Sequence, residues 1–164
     1  MTRPDTQALS DSNIVSSTTD NNTSCQVDFY LLGESSRDAN SIACRLALMA
    51  WERKQNIFII TATESLAAEM DELMWQNPEG RFLPHARANT GESDKAPVNI
   101  GTLSDLNPAD VVINLCPEVV PKPQRFSRVL EIVPYANEER QSSRVKYKSY
   151  RNLGLDPRTQ EINT

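Results

Sequence analysis

Residues 56–63 read NIFIITAT, a run of apolar and β-branched side chains that is too short for an independent helix. Such a run is typical of a strand buried on both faces of a parallel sheet, because helices cover the sheet on each side. Residues 26–32 (QVDFYLL) predict an earlier strand, and residues 36–55 carry apolar side chains at the 3.6-residue period of a helix. These three segments predict a right-handed β-α-β unit.

The rest of the chain continues this alternation. Ser65 is predicted to cap a second helix that ends near Trp75. A final helix is predicted over residues 137–152, closed by Gly154. Further strands are predicted at 98–101, 110–115 and 128–133, after a short extended piece at 81–85. The pattern indicates an α/β fold with a mostly parallel central sheet flanked by helices.

Length and composition suit a single domain. The chain has 164 residues, of which 38% are hydrophobic. Residues 1–24, rich in Ser, Thr, Asn and Asp, predict a disordered polar leader, residues 25–155 the α/β domain, and residues 156–164 a short C-terminal tail. The sequence has neither a secretory signal nor a membrane-spanning run, so we expect a cytoplasmic protein.

Charge is unevenly distributed along the chain. The formal net charge is −5, which argues against a protein that coats nucleic acid directly. Residues 140–151 (RQSSRVKYKSYR) nevertheless contain five cations and no carboxylate, so the remainder of the chain has a net charge of −10. This basic segment lies within the predicted final helix.

The final helix is predicted to present one basic face. Helical spacing places five side chains together on it: Arg140, Arg144, Tyr147, Lys148 and Arg151. Val145 and Leu153 are expected to face the sheet. Because Arg binds carboxylates bidentately and Tyr flanks apolar groups, the face fits a peptide that ends in acidic residues, an aromatic side chain and a free carboxylate. The alternative is a solvated face whose cations favour the helix C-terminus.

Elsewhere the sequence contains no set of residues that predicts catalysis or metal binding. His85 is the sole histidine, and Cys25, Cys44 and Cys116 lack the close pairing of zinc ligands. The five glycines do not form a phosphate-binding motif. We therefore predict no catalytic residue, no metal and no cofactor.

A small apolar cluster follows the second predicted helix. It consists of Trp75, Phe82 and Leu83. Large side chains in such a position are either core residues or anchors of a protein interface.

An ordered series of motifs resembles the chi-subunit family of bacterial DNA polymerase III. The motifs are FYLL (29–32), CRLA (44–47), MDELMW (70–75), FLPH (82–85), APVNI (96–100), VVINL (111–115), VLEIVPY (129–135) and RVKYKSYRNLG (144–154). The resemblance extends over about residues 26–155, and the last motif contributes most to it.

The resemblance implies a single-domain Rossmann-like fold without a nucleotide-binding loop. It also implies a non-catalytic accessory subunit of the clamp-loader assembly in DNA replication, which contacts DNA mainly indirectly. Its partners would be the psi subunit and the acidic C-terminal tail of single-stranded DNA-binding protein. The residues implied for the tail are Arg144, Tyr147, Lys148 and Arg151, with Arg140 and Gly154 at the margins. Those implied for psi are Phe82 and Val133, with Trp75 supporting either surface.

Two other functions stay open at this point. A small α/β enzyme would use the carboxyl edge of the sheet, where residues 33–36 (GESS) follow the first strand. A direct binder of single-stranded DNA would stack bases on Tyr147 and Tyr150 of the basic helix.

Overall fold

The computed structural model describes residues 25–34, 38–76, 80–93 and 95–162. The predicted leader, residues 1–24, lies outside the described residues. Within them, the chain alternates between strands and helices as expected of an α/β fold. None of the helices in these ranges is both long and apolar enough to cross a bilayer.

The strands of the described residues form one sheet. The strands are β1 (Gln26–Leu32), β2 (Ile57–Thr61), β3 (His85–Arg87), β4 (Val98–Thr102), β5 (Val111–Asn114), β6 (Arg128–Val133) and β7 (Arg158–Ile162). Their order in the sheet is β3-β4-β2-β5-β6-β1-β7, and every neighbouring pair is parallel. The sheet is thus entirely rather than mostly parallel, and the predicted Rossmann-like α/β fold is confirmed.

The three α-helices of the described residues are α1 (Ala39–Glu52), α2 (Glu64–Met74) and α3 (Asn137–Asn152). The predicted bounds of α3 are confirmed. Thr63 caps α2, because its Oγ1 accepts a hydrogen bond from the backbone N–H of Leu66 at 3.1 Å. The prediction of Ser65 as the cap is wrong by two residues, since Ser65 already lies in the first turn.

Helices cover both faces of the sheet and create two apolar cores. On one face, α1 and α2 pack against side chains that include Ile59, Ile113 and Leu130. On the other face, α3 and the loop segments pack against Phe58, Val112 and Val129. Each of these precedes one of the three residues just named and therefore points to the opposite side of its strand. All five residues of β2 are buried, which explains why NIFIITAT shows no polar alternation.

Strand β7 was not predicted. It lies within residues 156–164, interpreted from the sequence as a tail, and pairs in parallel with β1 at the edge of the sheet. Four of its five residues are exposed, which is consistent with its mostly polar sequence, RTQEI. An exposed edge strand lacks the apolar pattern by which strands are recognised.

The buried side of α3 also differs from the prediction. Val145 and Leu153 are 67% and 51% exposed, so neither faces the sheet. The buried side chains of α3 are Ser143, Lys146 and Tyr150. The helix is therefore rotated relative to the prediction, because polar groups that are paired beneath it replace the expected apolar contacts.

Candidate functional site: the basic face of α3

The outward face of α3 contains three exposed cations, on Arg144, Lys148 and Arg151. In the described parts of the chain, none of the three forms an ion pair with a carboxylate. The helix brings them together at the spacing that the sequence predicts. Their charges are therefore available to an acidic partner.

Arg140 lies at the margin of this face and is held in place. Its Nε donates to the backbone oxygen of Tyr135 at 3.1 Å, and its Nη2 donates to that of Leu32 at 3.2 Å. The guanidinium carbon also lies 5.1 Å from the centre of the Tyr135 ring. These contacts connect the start of α3 to the end of β1 and fix the position of one positive charge.

A groove of about 170 Å³ lies beside the cations, between α3 and the outer strands. Tyr147 forms part of it, with its ring centre 5.5 Å from that of Phe29 and its hydroxyl donating to the oxygen of Pro157 at 3.2 Å. The groove combines apolar surface with guanidinium groups. Its lining residues are Phe29, Leu31, Arg140, Ser143, Arg144, Tyr147 and Thr159.

Lys146 does not belong to the exposed basic face. It is buried, and its Nζ donates to Glu131 Oε1 at 2.8 Å and to the oxygen of Cys116 at 2.6 Å. The segment that carries +5 in the sequence thus presents three exposed cations, on Arg144, Lys148 and Arg151, with the half-buried Arg140 at their margin. Helical spacing does not reveal this pairing, because Glu131 lies on a strand, far from any i,i+4 position.

Glu131 is the centre of a buried polar cluster beneath α3. Its Oε2 accepts from the hydroxyl of Tyr150 at 2.5 Å and from Asn114 Nδ2 at 2.9 Å. Burial, and then the nearby Glu131 charge, raise the pKa of Tyr150 well above its ordinary value. The Tyr150 hydroxyl also accepts from the N–H of Val120 at 3.1 Å. Since Tyr150 is fully buried, it is unable to stack on a base, which contradicts its role in direct DNA binding.

Gly154 ends α3 rather than contacting the groove. It has a φ of +88°, and its N–H donates to the oxygen of Arg151 at 2.9 Å. The next N–H, of Leu155, donates to the oxygen of Tyr150 at 3.1 Å. This pair of bonds is a Schellman motif, in which glycine adopts the left-handed conformation without strain. Gly154 thereby determines where α3, and with it the basic face, ends.

The apolar cluster predicted after α2 is partly a surface patch. Trp75 and Phe82 are 61% and 57% exposed, with ring centres 5.6 Å apart, whereas Leu83 is buried in the core. The His85 ring packs edge-on against Trp75 with a centre-to-centre distance of 4.8 Å. Large aromatic side chains are usually buried, so this exposed pair forms an unusual apolar patch on the surface.

Val133 does not join this patch. It is only 3% exposed and lies at the end of β6, whereas the patch lies beside β3 at the edge of the sheet. Phe82 and Val133 therefore do not share one exposed surface, because Val133 instead lines a cavity at the carboxyl edge of the sheet. A contact between Val133 and the psi subunit stays a prediction.

The sole histidine has structural contacts. The backbone oxygen of Leu83 lies 2.7 Å from His85 Nδ1, and Asp71 Oδ1 lies 3.4 Å from Nε2. The ring thus links β3 to the end of α2 beneath the aromatic patch.

The carboxyl edge of the sheet contains a separate cavity of about 410 Å³. Its charged and thiol groups include Lys146, which is already paired, and Cys116. Burial raises the pKa of the Cys116 thiol to about 11, which keeps it protonated near neutral pH. Of the segment GESS, residues 35 and 36 lie outside the described residues.

Comparison with known proteins identifies similar sequences. A family model described as DNA polymerase III chi subunit, HolC, matches residues 25–158. The DNA polymerase III subunit chi of Pseudomonas aeruginosa is 34% identical over 131 residues, covering 79% of this chain and 91% of that protein. The Escherichia coli subunit chi is 30% identical over 138 residues, covering 80% and 94%, and that of Haemophilus influenzae is 28% identical over 137 residues, covering 82% and 95%.

A solved structure shares the fold. It contains a Dbp5 variant of Saccharomyces cerevisiae bound to Nup159, a Gle1 variant, IP6 and ADP, and it matches with a TM-score of 0.60 at 11% identity. The match covers 96% of this chain and 44% of that chain. At this identity the likeness concerns the arrangement of strands and helices alone.

Proposed function

The chain belongs to the chi-subunit family of DNA polymerase III, a replication accessory subunit, and we propose that it bridges two protein partners. The α3 face binds the acidic C-terminal tail of single-stranded DNA-binding protein. The Trp75–Phe82 patch binds the psi subunit of the clamp-loader assembly. The protein thereby links the replication machinery to coated template without catalytic activity of its own.

The observation that carries the first half of this proposal, the binding of the acidic tail, is the set of unpaired cations beside an apolar groove. Arg144 lines the groove, and its guanidinium is suited to bind a terminal carboxylate with two parallel hydrogen bonds. Phe29, Leu31 and Tyr147 supply apolar surface for an aromatic or aliphatic side chain of the same peptide. Lys148 and Arg151 attract the acidic residues that precede it.

The second half is supported by the exposed aromatic pair. Trp75 and Phe82 together present a large apolar surface whose exposure to water is unfavourable in an isolated subunit. Trp and other aromatic side chains are enriched at the centres of protein interfaces. Because the patch and the basic face lie toward opposite sides of the sheet, both partners have room to bind at once.

Calorimetry with a synthetic peptide of the acidic tail tests the first half. We expect Arg144→Ala to raise the dissociation constant at least tenfold, which is about 1.4 kcal/mol, because a charge-assisted contact is lost. Arg45→Ala, which removes an exposed guanidinium from α1, is the matched control and should leave affinity unchanged. Affinity should also fall as salt rises. Equal affinities of wild type and Arg144→Ala at constant salt would refute the assignment.

Co-purification with the psi subunit tests the second half. Phe82→Ala and Trp75→Ala should each weaken the psi complex while preserving tail affinity. Leu66→Ala, which truncates another exposed apolar side chain on α2, is the control. Arg144→Ala should show the opposite behaviour, with psi retained and the tail lost. If the aromatic variants bind psi as wild type does, the psi surface lies elsewhere.

A further inference from the structure

Strand β7 forms an exposed edge of the sheet next to the groove. Its residues 158–161 are exposed, and it pairs with β1 on one side. Among the described residues, no strand pairs with its outer side. At the opposite edge, β3 has only three residues, whereas β7 has five. A five-residue edge of this kind is a template for pairing with another extended segment.

The backbone of β7 indicates which groups face outward. The oxygen of Ile162 accepts from the N–H of Gly33, directly after β1, at 2.9 Å. Because alternate residues of a strand direct their N–H and C=O groups to opposite neighbours, Thr159 and Glu161 direct theirs away from β1. Two donors and two acceptors therefore point toward solvent along this edge.

The same edge opens into the basic groove. Thr159 lines the groove together with Arg144 and Tyr147 of α3. A peptide strand beside β7 would place alternate side chains on the α3 side of the sheet, toward these groups. Arg158 adds a further exposed cation, opposed by the single carboxylate of the strand, Glu161. The surrounding charge thus favours an acidic peptide.

We propose that the acidic tail binds as an additional strand along β7, so that main-chain hydrogen bonds to Thr159 and Glu161 hold it while its side chains reach the groove. This inference rests on the proposed function of the α3 face and adds the mode of binding. Strand addition supplies affinity from the backbone, and the flanking groove supplies selectivity.

Amide hydrogen exchange of the full chain, measured by NMR with and without the synthetic tail peptide, tests the proposal. The outward amides of Thr159 and Glu161 should exchange at least tenfold more slowly in the complex. The amide of Gln160 faces β1 and serves as the internal control, with a smaller change. Unchanged exchange at Thr159 and Glu161 under saturating peptide would overturn the proposal.

A pair of variants at position 161 separates the contribution of the backbone N–H to peptide affinity from that of the side chain. Glu161→Pro removes an outward N–H that β1 does not use, so we expect a loss of affinity of at least fivefold. Glu161→Ala retains the N–H and removes a repelling charge, so its affinity should equal or exceed that of wild type. Equal affinities for the two variants would contradict strand addition. Peptides N-methylated at successive positions add a readout that is independent of folding, because only alternate positions should lose binding.

The outcomes distinguish this proposal from the proposed function. If Arg144→Ala abolishes binding while the amides and the N-methylated series show no alternation, the tail is held by side chains alone and strand addition is wrong. If the wild-type chain does not bind the tail peptide, the proposed function of α3 fails as well. Slowed exchange at Thr159 and Glu161 in a peptide-free dimer at high protein concentration would assign the edge to a second copy of the chain and overturn the proposal.

Discussion

Replacement of Lys146 by methionine tests whether the buried cluster anchors α3. Methionine preserves the length and most of the volume of the side chain but removes its charge. Glu131 then loses a partner at 2.8 Å while remaining fully buried, and the oxygen of Cys116 loses its donor at 2.6 Å. A buried charge deprived of its partner typically costs about 3–5 kcal/mol.

For Lys146→Met we expect a loss of unfolding free energy near the lower end of this range. Tyr150 and Asn114 still donate to the Glu131 carboxylate, so part of its solvation by the protein persists. We therefore expect Lys146→Met to lower the free energy of unfolding by about 3 kcal/mol, a large fraction of the roughly 5–15 kcal/mol of a typical domain. Glu131→Gln combined with Lys146→Met removes both charges and should regain about 2 kcal/mol of that loss.

Urea denaturation followed by circular dichroism measures these differences. Lys148→Met is the matched control, because it removes an exposed cation two residues away on the same helix and should change stability by less than about 0.5 kcal/mol. A loss below about 1 kcal/mol for Lys146→Met, or a double variant no more stable than the single one, would refute the view that this pair anchors the helix.

Three further predictions use the same assay. Thr63→Ala removes the cap of α2 and should cost about 1 kcal/mol, whereas an unchanged midpoint would show that the cap is dispensable. Gly101→Ala should cost about 1–3 kcal/mol, because its Cβ would lie 3.0 Å from the Cβ atoms of both Ala88 and Asp105. Burial raises the Cys44 pKa from 9.0 to about 12, so stability present below pH 9 should fall as pH rises toward 12, by up to about 1.4 kcal/mol per unit. Cys44→Ala should reduce that slope, and an equal slope would exclude this thiol as its source.

Features that depend on local pattern could be predicted from the sequence. The run around Ile59 identified a buried parallel strand, and Gly154 marked the end of α3. The basic face was also recognised, because helical spacing determines which side chains are neighbours on one helix. Such inferences need no knowledge of which strands are adjacent.

Features that depend on residues distant in the chain could not be predicted from the sequence. Lys146 was counted as a surface charge because its partner, Glu131, is brought to it only by the packing of α3 on β6. Strand β7 lacks an apolar period, since its pairing with β1 buries little of its side-chain surface. The burial of Val133 likewise follows from helices on both faces of the sheet rather than from its local sequence.

The order of strands would fix the distance between two partners bound at opposite edges of the sheet. From β3, beside the aromatic patch, to β7 there are six strand intervals, which at about 4.8 Å each span roughly 29 Å. A rigid separation of this size would confine one bound partner near the other at an effective concentration on the order of 10 mM. Weak contacts between those partners would then form readily, and the fixed width of the sheet would set the range within which they meet.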